Sequence, residues 1–226
     1  MSWPLPPLIE WSKFLRLLRH PSPPKGWLES AAELPDLRKR PMLLRWIAQH
    51  PKAPAHLRAN LMARLPWRAL AAMAIDAAAH PQARAMSTER LQTLWMGMSL
   101  GERKNFAILA PPPLWPLMWK VPNLGVIASF LQNPRLTLPR LKALILAPIQ
   151  TWVLEALAES KWREFLPIVE QVLQAMDESF QTSEHSLVLS HAVPWIKLLD
   201  KERRLFIATR LKHPPLRRMV RNNASR

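Results

Sequence analysis

The chain repeats a His-Pro dipeptide at a fixed spacing of 30 residues. The dipeptides are His20-Pro21, His50-Pro51 and His80-Pro81, and one more step of the same length falls on Ala110-Pro111. Self-similarity at a fixed period of about 20 to 50 residues is typical of solenoid proteins. Proline interrupts a helix, so the spacing predicts short helix pairs that bury their apolar faces by stacking on neighbouring pairs.

The composition favours helices over strands. Among 226 residues, 49% are hydrophobic, with Leu, Ala and Met prominent, and there are 24 Pro against 4 Gly. We therefore expect prolines, rather than glycine caps, to end the helices. The predicted fold class is all-α, an irregular α-solenoid of HEAT-like helix pairs. We expect one elongated domain over residues 1–226, with flexible ends at 1–7 and 213–226.

A leucine recurs ten residues after several of the prolines. The positions are Leu61, Leu91 and Leu144, counted from Pro51, Pro81 and Pro134. We predict that these leucines occupy equivalent buried positions. The interval from Pro111 to Pro134 is only 23 residues, so the predicted array is irregular.

The clearest copy of the repeated phrase runs from Gln132 through Asn133-Pro134 to Thr137 and a leucine-patterned helix. This phrase resembles the repeat unit of bacterial HEAT-like and variant leucine-rich repeat proteins, and the His-Pro copies match it more loosely. The resemblance covers residues 40 to 147 approximately. It implies an α-solenoid of the kind that serves as a binding scaffold, and it implies no activity.

The net charge of +16 is concentrated in two basic segments. Such an excess predicts a polyanionic partner, since clustered Lys and Arg attract phosphates and carboxylates. The candidate polyanion-binding residues are Arg38, Lys39, Arg40, Arg203, Arg204, Arg210, Arg217, Arg218 and Arg221. Because Pro214-Pro215 interrupts the second segment, we predict a bent or flexible basic end that does not read base sequence.

Two tryptophans, Trp115 and Trp119, lie four residues apart beside Lys120 and are candidates for stacking on nucleic-acid bases. Core packing is the alternative for both rings. Asp76 lies in a very apolar segment, where it is either a general base beside His80 or a structural partner of Arg45 or Arg84. At the His-Pro breaks we expect imidazolium rings that bond the last carbonyls of a helix.

No catalytic residue, metal site or cofactor is predicted. Cys is absent, which excludes thiolate ligands and disulfides, and the sequence lacks phosphate-binding loops and nucleophile motifs. The absence of Cys and of a signal-peptide pattern at the N-terminus predicts a cytoplasmic protein, peripheral to a membrane if its cationic surface meets anionic lipid.

The leading functional prediction is a non-enzymatic scaffold or adaptor that binds another macromolecule, with a protein favoured. Two alternatives stay open. One is a nucleic-acid-binding protein that acts on DNA bases, since HEAT-fold alkylpurine DNA glycosylases are similar in size, charge and tryptophan content; this likeness is at the level of fold alone. The other is an accessory subunit of a membrane-associated complex. No small-molecule substrate is evident.

Overall fold

The computed structural model describes residues 3–6, 9–181 and 189–222, and it does not describe the side chain of Arg38. Helices, with three short 3-10 helices included, account for 70% of the described residues, and these residues contain no strand. The prediction of an all-α fold is confirmed. The chain divides into two compact units, Met1–Ser99 and Leu100–Arg226. The prediction of one elongated repeat domain stays a prediction.

Within its described residues, the first unit contains seven helices. In chain order they are α1 Trp11–Leu18, α2 Trp27–Ala32, α3 Pro35–Arg38, α4 Pro41–Gln49, α5 Ala55–Arg64, α6 Trp67–Ala74 and α7 Pro81–Gly97. Contacts alternate along the series: α4 packs on α5 and α6, and both α5 and α6 pack on α7. Each helix therefore contacts its neighbour in sequence or the next one along, as helix pairs do when they stack.

The second unit contains the other α-helices. In chain order they are α8 Leu100–Leu109, α9 Trp115–Trp119, α10 Leu124–Phe130, α11 Leu138–Leu144, α12 Thr151–Ala158, α13 Leu166–Ser179, α14 Val193–Ile196, α15 Lys201–Arg210 and α16 Pro214–Asn222. The 3-10 helices are Pro112–Leu114, Lys161–Glu164 and Leu189–Ala192. Here α10 lies between α8 and α12, α11 packs on α13, and α15 pairs with α16.

Prolines begin helices in this protein more often than they end them. Pro41 is the first residue of α4, Pro81 begins α7 and Pro214 begins α16. Pro51 and Pro66, in contrast, directly follow the C-caps of α4 and α5, as expected of prolines that end helices. At the first helical position the missing N–H would have no partner in any case, and the fixed φ of proline suits the helix.

The side chains at the His-Pro breaks form hydrogen bonds that differ from the predicted ones. In His20, His50 and His80, ring Nδ1 accepts a hydrogen bond from the backbone N–H two residues later, at 3.1 to 3.2 Å. The Oδ1 atom of Asn133 accepts the equivalent bond from Arg135. At each break the ring bonds the turn that follows the proline, whereas the prediction had the ring bonding the last carbonyls of the preceding helix.

Two of these breaks are also tied to the break before them. The Nε2 atom of His50 lies 2.9 Å from the carbonyl oxygen of His20. In the second unit, Nδ2 of Asn133 donates to the carbonyl of Ala110 at 3.1 Å. The His80-Pro81 break is connected to the His50-Pro51 break through Arg58. Its Nη1 donates to the side chain of Gln82, and its Nη2 donates to the carbonyls of His50 and Pro51. The repeated dipeptide thus marks the places where one helix pair is bonded to the previous one.

The leucine register is correct in the first unit and wrong in the second. Leu61 and Leu91 are fully buried. Leu144 is half-buried, and the core positions around it belong to Leu141 and Ile145. Leu144 is the last residue of α11, and the buried positions at this end of the helix are Leu141 and the C-cap residue Ile145.

Candidate functional site

The C-terminal basic segment folds as a helical hairpin with a groove between its two helices. The groove has a volume of about 430 Å³ and is lined by Leu205, Ala208, Thr209, Arg217, Arg218 and Arg221. Helix α16 is held against the rest of the second unit by Leu216 and Val220, which are fully buried. The bend predicted at Pro214-Pro215 is present between α15 and α16. The predicted flexibility of residues 213–226 stays a prediction, and residues 223–226 lie outside the described part of the chain.

Asp177 fixes the turn between the two helices of the hairpin. This residue is 4% exposed, and its two carboxylate oxygens accept hydrogen bonds from the backbone N–H groups of Lys212 at 2.8 Å and His213 at 2.7 Å. The carboxylate also lies at the start of α16, where a negative charge is favourable. The ring of His213 stacks on Phe180 at 4.9 Å. Asp177 itself lies near the C-terminal end of α13.

The hairpin arginines divide into two groups by their partners. Arg203 pairs with Glu170 at 3.2 Å, Arg204 donates to the carbonyl of Ile196, and Arg210 covers the ring of Phe206 at 4.2 Å. These three have contacts within the protein.

The other group comprises Arg217, Arg218 and Arg221, which are exposed and line the groove. Within the described residues, no carboxylate lies within 4.0 Å of any of them. Their guanidinium groups are available to an external anion, and arginine binds carboxylates and phosphates in a two-pronged geometry.

Exposed apolar side chains accompany these charges. On α15, Leu205 is 44% exposed and Phe206 is 47% exposed, while the adjacent Ile207 is buried. A signal for this was present in the sequence: three consecutive apolar residues in a short helix cannot all face one core. The hairpin therefore combines an apolar strip with a cluster of unpaired cations.

The N-terminal basic run lies in the first unit and has a different environment. Lys39 and Arg40 are exposed, but the guanidinium of Arg40 covers the ring of Trp11 at 4.5 Å. The side chain of Arg38 is outside the described part of the structure. This run belongs to the first unit and the hairpin to the second. Of the candidates in the hairpin, Arg217, Arg218 and Arg221 line one groove.

The two tryptophans proposed for base stacking have different exposures. Trp115 is 4% exposed, and its indole N–H donates to the carbonyl of Ala110 at 2.9 Å. We correct the prediction for this residue, because a ring packed in the core offers no face to a base. Trp119 is half-buried, touches Phe130 edge-on at 6.0 Å, and lines a second cavity described below.

Asp76 has the structural role that was one of its two alternatives. It follows the end of α6 and accepts hydrogen bonds from Arg45 at 3.0 Å, Gln49 at 2.9 Å and the backbone of Ala78 at 3.0 Å. Partial burial raises the pKa of the Asp76 carboxyl, but the bonds from Ala78, Gln49 and Arg45 and the charge of Arg45 outweigh it. The net result is a lowered pKa, as expected for a carboxylate held by an ion pair.

Arg58 is a further charged residue that sequence reasoning missed. It is 3% exposed, its Nη1 donates to Gln82 at 2.8 Å, and its Nη2 bonds the two carbonyls at the second His-Pro break. Burial lowers the pKa of its guanidinium. A lone arginine on a helix looks like a surface residue in the sequence, so no pattern indicates this role.

Other classes of site are not found in the described residues. They contain no group of three or more His, Asp or Glu side chains placed to hold a metal ion. Within the same part of the chain, no helix is both long and apolar enough to cross a membrane. Comparison with protein-family models, with curated proteins and with solved structures gives no match. The groove of the C-terminal hairpin is therefore the candidate functional site.

Proposed function

We propose that this protein is a non-enzymatic helical-repeat scaffold of the α-solenoid type. We propose further that its C-terminal hairpin binds an acidic amphipathic helix of a partner protein. The observation that carries the proposal is the groove of α15 and α16, which is lined by three unpaired arginines and the exposed Leu205. A scaffold role is in keeping with the alternating helix contacts, because stacked helix pairs offer extended surfaces to partners.

The pattern of charges suits a helical ligand. Arg217 and Arg221 are four residues apart on α16, so they lie on one face about one turn apart. A partner helix with acidic residues at the same spacing can pair with both. Apolar residues on its adjoining face would cover Leu205, which joins the arginines along the groove. Amphipathic helices are commonly recognised in apolar grooves in this way.

Nucleic-acid binding is the second candidate function. It is favoured by the absence, among the described residues, of carboxylates near Arg217, Arg218 and Arg221, since phosphate contacts need only unpaired cations. The exposed apolar side chains favour a peptide ligand over a nucleic acid, because phosphate groups have no apolar surface that could cover these side chains. An anionic membrane surface, with the protein cytoplasmic and peripheral, is the third candidate and would use the same charges.

The test is a binding assay with three ligands of equal negative charge. The ligands are a helical peptide with acidic residues on one face and Leu and Phe on the next, a scrambled peptide of the same composition, and a single-stranded oligonucleotide. We expect the amphipathic peptide to bind at least tenfold more tightly than the scrambled one. If the oligonucleotide binds best, with an affinity that falls steeply with salt, the nucleic-acid function replaces the peptide function.

A matched pair of charge-reversal variants locates the site. The triple variant Arg217→Glu, Arg218→Glu and Arg221→Glu should lose peptide binding. A control triple, Lys25→Glu, Lys39→Glu and Lys52→Glu, changes the net charge equally at exposed positions of the first unit and should bind almost as the unmodified protein does. Equal losses in both variants would show that binding follows net charge and not the groove.

A further inference from the structure

The second unit contains a cavity that is separate from the hairpin groove. It has a volume of about 670 Å³ and is formed by α9, the end of α11, the segment that follows it and the start of α12. Most of its lining is apolar: Trp119, Leu144, Leu146, Pro148 and Trp152 contribute to the walls. The volume lies in the range of small-molecule pockets, about 300 to 1,000 Å³.

Several features of the lining are difficult to explain as core packing alone. Leu146 is 62% exposed although it lines the cavity, and Leu144 is only half-buried where the sequence predicted a core leucine. Two tryptophans contribute large rings to one concave surface. An apolar surface of this kind in contact with water favours a ligand that covers it.

Polar groups in the lining indicate which ligand. Lys120 is the one charged side chain among the residues that line the cavity, and no acidic residue does so. A single cation in an otherwise uncharged lining fits a ligand with one negative charge, and a carboxylate pairs well with a lysine ammonium group.

We propose that this cavity binds a small amphiphilic carboxylate, with an apolar body such as the chain of a medium-length fatty acid. The apolar body lies against Trp119, Leu146 and Trp152. The carboxylate pairs with Lys120 at the edge of this apolar surface. A flat protein surface is a poorer fit, because protein interfaces are broad and a single cavity of this volume covers only one or two side chains. The proposal is independent of the peptide-binding function of the hairpin.

The test uses decanoate and decanol as probes with the same chain and different head groups. Binding to the full-length protein is measured by calorimetry below the concentration at which decanoate forms micelles. We expect one site per chain and at least a tenfold preference for decanoate. Equal affinity for the two probes, or no binding of decanoate up to millimolar concentration, would overturn the proposal.

Variants assign the preference to the cavity. Lys120→Met should remove the preference for decanoate while decanol still binds, and Trp152→Phe should weaken decanoate binding severalfold. Leu146→Glu should abolish binding of both probes. Lys142→Met is the control, since Lys142 is an exposed lysine on α11 outside the lining. Lys120 and Leu146 are exposed, so their variants should fold. If Lys142→Met lowers the preference for decanoate over decanol as much as Lys120→Met does, the preference follows the overall charge of the protein and the proposed site is wrong.

Discussion

Three arginines of the first unit and three of the C-terminal hairpin have very different environments in the structure. In the first unit Arg58 is buried on backbone carbonyls, Arg45 pairs with Asp76, and Arg40 covers Trp11. In the hairpin, Arg217 and Arg218 face a groove with no carboxylate within 4.0 Å among the described residues. A cation becomes a binding group when the fold gives it no internal partner, and a count of charges does not reveal that.

The difference has a simple origin in the neighbouring residues. Asp76, Trp11 and the open carbonyls at the His-Pro break give the first unit's arginines partners within the unit. Residues 201–222 include one acidic residue, Glu202. Both carboxylate oxygens of Asp177, which contacts the turn between α15 and α16, already accept hydrogen bonds from backbone N–H groups. Substitutions in each region test whether the arginines of the first unit are structural and those of the groove are free to bind a ligand.

The largest effect is expected at Arg58. Replacing it in Arg58→Met removes three hydrogen bonds and leaves two break carbonyls and the Gln82 side chain without their partner. The free energy of unfolding should fall by about 3–4 kcal/mol, measured by urea denaturation. The matched hairpin variant Arg218→Met should change it by less than about 0.5 kcal/mol. A comparable loss in both variants would remove the distinction between structural and free arginines.

The next largest effect is expected at Asp177. The Asp177→Ala variant leaves the N–H groups of Lys212 and His213 without a carboxylate, and unfolding should become easier by about 2–3 kcal/mol. The same variant should weaken peptide binding, because the turn that holds α16 beside α15 is loosened. If stability falls and peptide affinity is unchanged, the hairpin geometry is not what the peptide recognises.

A smaller effect is expected at Arg40. The contact between its guanidinium and Trp11 is partly solvent-exposed, and such cation–π pairs contribute about 0.5–1 kcal/mol. Arg40→Ala should lower stability by that amount and leave peptide binding unchanged. A loss of peptide binding in this variant would assign the N-terminal basic run to the binding surface as well.

The smallest effect is a pH dependence at Asp76. The folded-state pKa of its carboxyl is lowered, so its contribution to stability is present above the unfolded value of about 3.9 and is lost as pH falls through the folded value. The difference in unfolding midpoint between the unmodified protein and Asp76→Asn should therefore shrink on acidification from pH 6 to pH 3. A constant difference would show that the charge of Asp76 does not contribute.

Much of the fold could be predicted from the sequence because it follows from local rules. The period of the His-Pro breaks and the apolar spacing correctly predicted helices, and Leu61 and Leu91 are buried as expected. The prediction for Leu144 was wrong, because at this end of α11 the buried positions are Leu141 and Ile145. The bend at Pro214-Pro215 was predicted, but the helix that begins there was not, because its start is held by a tertiary contact from Asp177 to His213.

The binding site could be predicted only in part. The C-terminal arginines were identified from charge alone, but the separation of Arg203, which pairs with Glu170, from Arg218, which faces the groove, depends on a residue 33 positions away. Trp115 and Trp119 look equivalent in the sequence, and the structure buries only the first. Contacts between distant residues carry this information, and spacing along the chain does not.

Hydrogen exchange tests the central claim most directly, because it reports on both basic regions in one measurement. Amide exchange is followed by mass spectrometry in the full-length protein, alone and with a saturating amount of the acidic amphipathic peptide. We predict slower exchange in α15 and α16, over residues 201–222, and no change over residues 37–49. Protection of residues 37–49 with none in the hairpin would contradict the account.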